Sequence, residues 1–421
     1  MVPYAAHAQL AQEYFPSDIP GYSADFSASV VARQQNQDRP QGVEIDSFVI
    51  NPRLSEGVGY NSNTLGIPGS GSASVNTNGS LQIRSDWTRN AIATSFTVAD
   101  NRYLDLPSAS YTNWTAAAGG SLTIGRGAAD LAYSHLGLHL AATDLGVFGV
   151  VTPVPYSVDD ARIGYTALSG RFSLHPSFEF ENFAFGKSSG TPQINYDSLS
   201  HREETGTLTG RYELSTGNAV VAVLRGAGAQ FFALPGTIGN DYTDVAGFGG
   251  LDFRSDSLVE YRALVGVENR SFKAPGTASA TTPTVELDAV WTPSRLDTLT
   301  ASVSRRFDDP ASPFARNQTI TDARLQYDHE LRHDVFLRGY AEVGQSASES
   351  GTSTGASIDQ TQLHFGATAT WDINRFLKAA LTYGYSNSAV SNTSETNAIV
   401  YGGGRTTFTS NSVVLSATIS E

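Results

Sequence analysis

Period-two alternation of apolar and polar residues runs through nearly the whole chain. It comes in pairs of strand-length runs joined by short polar turns. The clearest pair spans 357–386. Leu363, Phe365, Ala367, Ala369 and Trp371 alternate with Gln362, His364, Gly366, Thr368 and Thr370. A turn at 372–375 follows, and then Leu377, Ala379, Leu381, Tyr383 and Tyr385 alternate with Lys378, Ala380, Thr382 and Gly384. Period two gives a strand one apolar and one polar face. A chain built almost wholly of such hairpins, with strands of about ten residues, has the pattern of a transmembrane β-barrel.

The spacing predicts an all-β fold: a transmembrane antiparallel up-and-down barrel of about 18 strands, or 16 if two weak strands merge. The first strand is near 46–61. Hairpins follow near 72–100, 111–142, 159–187, 203–231, 243–271, 284–307, 320–345 and 359–387, and a last strand near 406–420. The weakest alternation is at 111–125 and 130–142. Turns inside hairpins are short; connections such as 143–158, 188–202, 272–283, 346–358 and 388–405 are longer. That asymmetry puts the short turns and both termini on the periplasmic side. Trp87, Phe253, Trp291, Trp371 and Phe376 lie beside short turns. Tyr60, Tyr103, Phe231, Phe272, Phe307 and Tyr385 lie beside long connections, which suggests two interfacial belts.

Composition agrees with this reading. Only every second barrel residue meets lipid, so 40% hydrophobic residues and a mean hydropathy of −0.20 are compatible with a membrane protein. The 421 residues include no cysteine, which excludes disulfides, thiolate metal sites and a cysteine nucleophile. A net charge of −14 argues against nucleic acid as a partner. Residues 1–8 end in Ala6-His7-Ala8, which reads as the residue of a signal peptide. Residues 9–45, polar and interrupted by Pro16, Pro20 and Pro40, read as a flexible periplasmic arm before a barrel over 46–421.

The polar faces of several strands are charged. Glu179 and Glu181, Arg211 and Glu213, Glu260, Arg262 and Glu268, Glu286 and Asp288, Asp322, Arg324 and Asp328, and Arg338 and Glu342 all alternate with apolar neighbours. A charge facing lipid near the midplane costs roughly 2–4 kcal/mol, so these side chains are expected to line the lumen. Mixed signs can pair to stiffen the wall, or set a field along a solute path. The histidines show no metal-ligand spacing, and Gly186-Lys187-Ser188 lacks the earlier glycine of a phosphate loop. No nucleophile-elbow or zinc-helix motif occurs. The chain therefore reads as a non-enzyme without cofactor or metal.

The first strand region, Gly42-Val-Glu-Ile45-Asp-Ser47-Phe48 through Gly57-Val-Gly-Tyr60-Asn61-Ser-Asn63, is followed by Asp86-Trp87-Thr-Arg89-Asn90 and Arg102-Tyr103. From about residue 40 onward this resembles the beta-barrel porin family of Gram-negative outer membranes. The resemblance implies an outer-membrane barrel, of a type often associated with exopolysaccharide systems, and no assigned active site. The chain departs from the usual barrel pattern by ending on Glu421 rather than on an aromatic residue.

The leading expectation is a passive porin-like channel for small hydrophilic solutes in the cell outer membrane, in contact with its lipid and lipopolysaccharide. The alternatives are an accessory barrel of exopolysaccharide export, with a polysaccharide or periplasmic partner, and a soluble secreted all-β protein. The expected orientation predicts that Thr352→Cys labels with an impermeant thiol reagent on intact cells and Gly217→Cys does not. Labelling at 217 but not at 352 would reverse the orientation.

Overall fold

The computed structural model describes residues 15, 19–22, 42–147, 150, 152–188, 195–232, 240–255, 258–312, 315–350, 358–392 and 407–421. Residues 1–8 and most of the segment 9–45 lie outside them, as do parts of the connections 188–202, 346–358 and 388–405.

Eighteen strands form a closed antiparallel barrel, and a short nineteenth strand, β1 (Val43–Ile45), is added to it. The barrel begins with β2 (Phe48–Asn61), β3 (Ser72–Ser85) and β4 (Ala91–Tyr103). It continues with β5 (Tyr111–Ile124), β6 (Gly127–Leu140), β7 (Val154–Ser169) and β8 (Phe172–Phe185). Next come β9 (His201–Ser215), β10 (Asn218–Phe231), β11 (Tyr242–Ser255) and β12 (Val259–Phe272). The wall is completed by β13 (Ala280–Trp291), β14 (Asp297–Asp308), β15 (Ala315–Arg332), β16 (Val335–Ser350), β17 (Ile358–Asp372), β18 (Leu377–Asn392) and β19 (Thr407–Ser420). Every strand pairs with its sequence neighbour, and β19 closes on β2 with Val413 opposite Tyr60 and Ile419 opposite Leu54. These are the expected hairpins, two weak strands included.

Local chemistry sets the turns. Gly125 and Gly170 open two-residue turns at φ of 62° and 61°, a left-handed backbone that glycine adopts without a Cβ penalty. At the seam, β19 stops opposite Arg53. Beyond that point β1 takes over the exposed edge of β2, pairing Ile45 with Phe48 and Val43 with Ile50. A membrane barrel leaves no edge unpaired, and β1 extends that rule to the rim.

Alternation sorts the two faces. Leu131, Ile163, Leu224, Val265, Leu381 and Leu415 point outward and are exposed, as lipid-facing side chains are. Trp87, Phe172, Trp291, Trp371 and Phe376 form an exposed aromatic ring at the short-turn rim. The expected belt at the other rim is thinner. Tyr60 is exposed there, but Phe231 and Phe307 are 8% and 5% exposed and lie beside Tyr242 and Arg270. Distance from a turn had placed both in the belt; strand parity puts Phe231 inside, and Phe307, of outward parity, is covered at the strand end beside Arg270.

The barrel encloses an apolar core on one side. Leu136, Leu138, Leu140, Val154, Tyr156, Val158, Phe183 and Phe185 face inward from β6–β8. Tyr196 and Leu199 from the connection 186–200, Val147 and Val150 from 141–153, and Ala311 from 309–314 pack on them. This explains the weak alternation of β6. Over 136–140 its inner face, Leu136, Leu138 and Leu140, meets inward-folded chain rather than water, while the other face carries His135, Gly137 and His139, so the usual alternation is inverted there.

A second apolar patch lines β10–β12, where Leu264 is 1% exposed among Val221, Val223, Ala246 and Phe248. Parity predicts Leu264 on the lumen face and a Leu264→Gln change there as nearly silent. The structure keeps the face and corrects the expectation, because an amide there loses the apolar burial of Leu264 among Val221, Val223, Ala246 and Phe248. Leu264→Gln should destabilise the barrel by roughly 2 kcal/mol. Ala263→Arg, on the outward face, should cost roughly 2–4 kcal/mol near the midplane. Refolding titrations into lipid vesicles measure both, and a silent Leu264→Gln would show that this patch is not packed.

Candidate lumen site

Cross-strand pairing places all fourteen sequence-selected charges on the face opposite the exposed apolar side chains. Arg262 lies opposite Asp252 and Asp288, Arg324 opposite Ser302 and Glu342, and Arg338 opposite Asp328 and Thr368. Arg324 Nη1 is 3.0 Å from Glu342 Oε2, and Arg338 Nε is 2.6 Å from Asp328 Oδ1. Arg254 reaches Glu260 at 2.7 Å and Arg225 reaches Glu268 at 2.9 Å. Arg162 reaches Glu179 at 2.5 Å, and Arg211 pairs with Asp252. Among the described residues Glu181, Glu213, Arg262, Glu286 and Asp288 form no ion pair.

Two inward loops narrow the long-loop half of the lumen. The connection 141–153 crosses from β6–β7 to the far wall. Gly146 N–H donates to Gln360 Oε1 (2.6 Å), and Gln362 Nε2 donates to the Thr143 carbonyl (2.9 Å), both glutamines on β17. Leu145 is 1% exposed and packs on Ile320 of β15. The strands it joins, β6 and β15, stand half a circumference apart in an 18-strand wall.

The second loop, described over 309–312, is held by a network that the sequence reading missed. Asp309 Oδ2 lies 2.8 Å from His201 Nε2. Asp309 Oδ1 accepts from the Tyr242 hydroxyl (2.6 Å) and from Arg270 Nη1 (3.3 Å). Arg270 also donates to Asp244 (3.1 Å) and to the Asp308 carbonyl (3.2 Å), with its guanidinium 3.8 Å from the Tyr242 ring centroid. His201 Nδ1 donates to the Leu199 carbonyl (2.6 Å), which leaves Nε2 towards Asp309. Burial alone would raise the Asp309 carboxyl, but the His201 charge and hydrogen bond beside it, with Arg270 and Tyr242, hold it at about 2. Parity could have marked each residue as inward. Their convergence from four strands and a loop has no local signal.

The donor atoms of His201, Glu203 and Asp309 lie within 4.8 Å of one another, as do those of Asp160, Glu179 and Glu181. Such spacing can suit a cation, but an arginine already occupies each cluster. Arg270 binds Asp309, and Arg162 binds Asp160 and Glu179. A guanidinium stays charged at any accessible pH and supplies the compensation a metal ion would bring. Both clusters are ion-pair networks.

The described part of the segment read as a periplasmic arm lies inside the barrel, except for residues 42–45 at the rim. Ile19 is 1% and Tyr22 9% exposed against Ala93, Ala117 and Ala132. The Tyr22 hydroxyl bonds to Asp160 of β7 and shares a 2.9 Å hydrogen bond with Ser134 of β6. Burial first, and the Asp160 bond second, push this hydroxyl up, so it stays protonated. The Arg162 guanidinium lies 4.5 Å and 4.6 Å from the ring centroids of Phe15 and Tyr22, which stack on each other at 5.2 Å.

The inner perimeter is therefore uneven. It is packed over β5–β8, with Asp160, Arg162 and Glu179 paired among the apolar side chains, and charged over β9–β16 beside the apolar patch of β10–β12. Over β17–β4 it is mainly polar, with His364 bonded to Ser386, Gln360 to Ser388 and Lys378 paired with Asp372.

The barrel is similar to known outer-membrane structures. OccK2 (OpdF) of Pseudomonas aeruginosa in complex with glucuronate is 10% identical, with a TM-score of 0.48 over 90% of this chain and 100% of that one. OccAB2 of Acinetobacter baumannii is 10% identical, with a TM-score of 0.48 over 89% and 98%. The FrpB iron transporter of Neisseria meningitidis (F3-3 variant) is 8% identical, with a TM-score of 0.44 over 91% and 83%. None of the curated proteins compared with the chain matches it. The family model described as "Putative beta-barrel porin 2" matches residues 38–407, so the chain belongs to that family of outer-membrane porin-like barrels.

Proposed function

We propose that this barrel is a passive channel for small hydrophilic solutes, with its passage along the charged inner wall of β9–β16. The observation that carries this reading is the division of the perimeter. Packed chain fills the side at β5–β8, whereas the opposite side carries ion pairs and unpaired carboxylates that only water or a polar solute can face. Buried unpaired charge in a dry wall would cost several kcal/mol per group. Glu286 and Asp288, with no ion pair of their own, bias the wall towards cations. The arginines of the neighbouring pairs cancel part of that field, so the preference is weak.

Purified protein in planar bilayers should conduct in steps with weak cation preference. Glu286→Gln with Asp288→Asn should shift the reversal potential in a salt gradient towards anions, while heat-modifiable migration stays unchanged because neither carboxylate holds an ion pair. Absence of conductance in the parent and in every variant would sink the channel reading and favour an accessory barrel. Conductance with an unmoved reversal potential would place the passage away from β13.

A further inference from the structure

We propose that Phe15 together with Ile19–Tyr22 forms a plug, docked on the inner wall of β4–β8, that narrows the channel proposed above. The wall is shaped to receive it. Gly119 and Ala117 on β5, Ala93 on β4 and Ala132 on β6 form a floor of small residues where the packed wall nearby carries Leu136 and Val158. A Cβ at Gly119 would collide with the Pro20 carbonyl and come within 2.6 Å of Ile19 Cγ2. A Cβ at Gly21, whose φ is +94°, would lie 2.8 Å from Ala132 Cβ, so chain and wall approach as closely as two residues without bulk allow.

Side chains rather than the backbone ladder hold the segment. Its described main-chain hydrogen bond is internal, Tyr22 N–H to the Ile19 carbonyl at 3.0 Å. The strands behind it, β4 to β8, are fully paired with one another. Among the described residues, the segment can leave without breaking a hydrogen bond of the strand ladder. What it gives up is the apolar contact of Ile19, the Tyr22 bonds to Asp160 and Ser134, and the aromatic cover of Arg162. Asp160 and Glu179 keep Arg162 paired after departure, so undocking strands no charge. Phe15 also packs on the core formed by the inward loops, so the docked segment joins the existing constriction.

The plug rests on the channel reading, and two readouts separate them. The chain lacks cysteine, so Ile19→Cys with Ala132→Cys in the full-length protein reports docking by itself. Mild oxidation should cross-link the pair, seen as a mobility shift reversed by reductant. In planar bilayers the oxidised form should stay in its low-conductance state. Phe15→Ala with Tyr22→Ala, and separately Gly119→Val, should raise single-channel conductance by about twofold or more as the lumen is vacated. Gly228→Val, at an outward position with nothing within 4 Å, controls for adding bulk at a strand glycine and should leave conductance at the parent level. Heat-modifiable migration checks that each variant is folded. Failure to cross-link, or parent-level conductance in both undocking variants, overturns the plug. A formed cross-link with no conductance in any variant also overturns it as a plug, and places the fault in the channel reading rather than in the docking.

Discussion

Backbone pairing in a medium without water governs this molecule. Each peptide group inside a bilayer must find its partner in the protein, and a sheet meets that demand only by closing on itself. The β19–β2 seam is thus the contact on which the other seventeen pairings rest. It also shows how closely the demand is met. Where β19 runs out opposite Arg53, the three residues of β1 continue the ladder along β2.

Closure then decides the fate of every side chain. Once strand parity assigns a residue to the inside, it faces water, another wall residue or inserted chain. All three occur here, in different arcs of the perimeter. Over β6–β8 many inner residues are apolar and are covered by segments folded in from loops and from the N-terminus, with Asp160, Arg162 and Glu179 paired among them. Over β9–β16 arginines and carboxylates alternate between neighbouring strands and pair across them. A buried ion pair adds little net stability, because desolvation offsets most of its attraction. Its effect is geometric. Arg270, held by Asp244, Asp309 and the Asp308 carbonyl, fixes residues 309–312 against the wall, and removing either partner would leave a charge stranded.

The two inward loops use different chemistry for the same task. The loop after β6, described over 141–147, reaches across the lumen on neutral hydrogen bonds, Gly146 N–H to Gln360 and Gln362 to the Thr143 carbonyl, and on Leu145. The loop after β14, described over 309–312, is tied by Asp309 to His201, Tyr242 and Arg270. A neutral strap and an ionic latch respond differently to salt and pH, so the two constrictions are separable by conditions as well as by mutation.

The sequence by itself determined the class of fold, the hairpins and the closing strands. Each of these follows from a period-two pattern that a few residues suffice to show. Only the tertiary structure decided what those faces meet. His201, Asp244, Arg270 and Asp309 are far apart in the chain, and nothing near any one of them signals the others. The arginine partners Arg162, Arg225 and Arg254 became visible only when the strands were set side by side. Leu264 and Phe231 sit on inward faces that parity marks as wet, yet both are dry, because neighbouring apolar side chains cover them. Ile19 and Tyr22 lie in a stretch whose composition reads as solvated arm, and they are buried because Gly119 and Ala132 leave room for them across the barrel. Alternation is a property of one strand, whereas filling a lumen depends on the shapes brought together from many, and that information exists only once the barrel has closed.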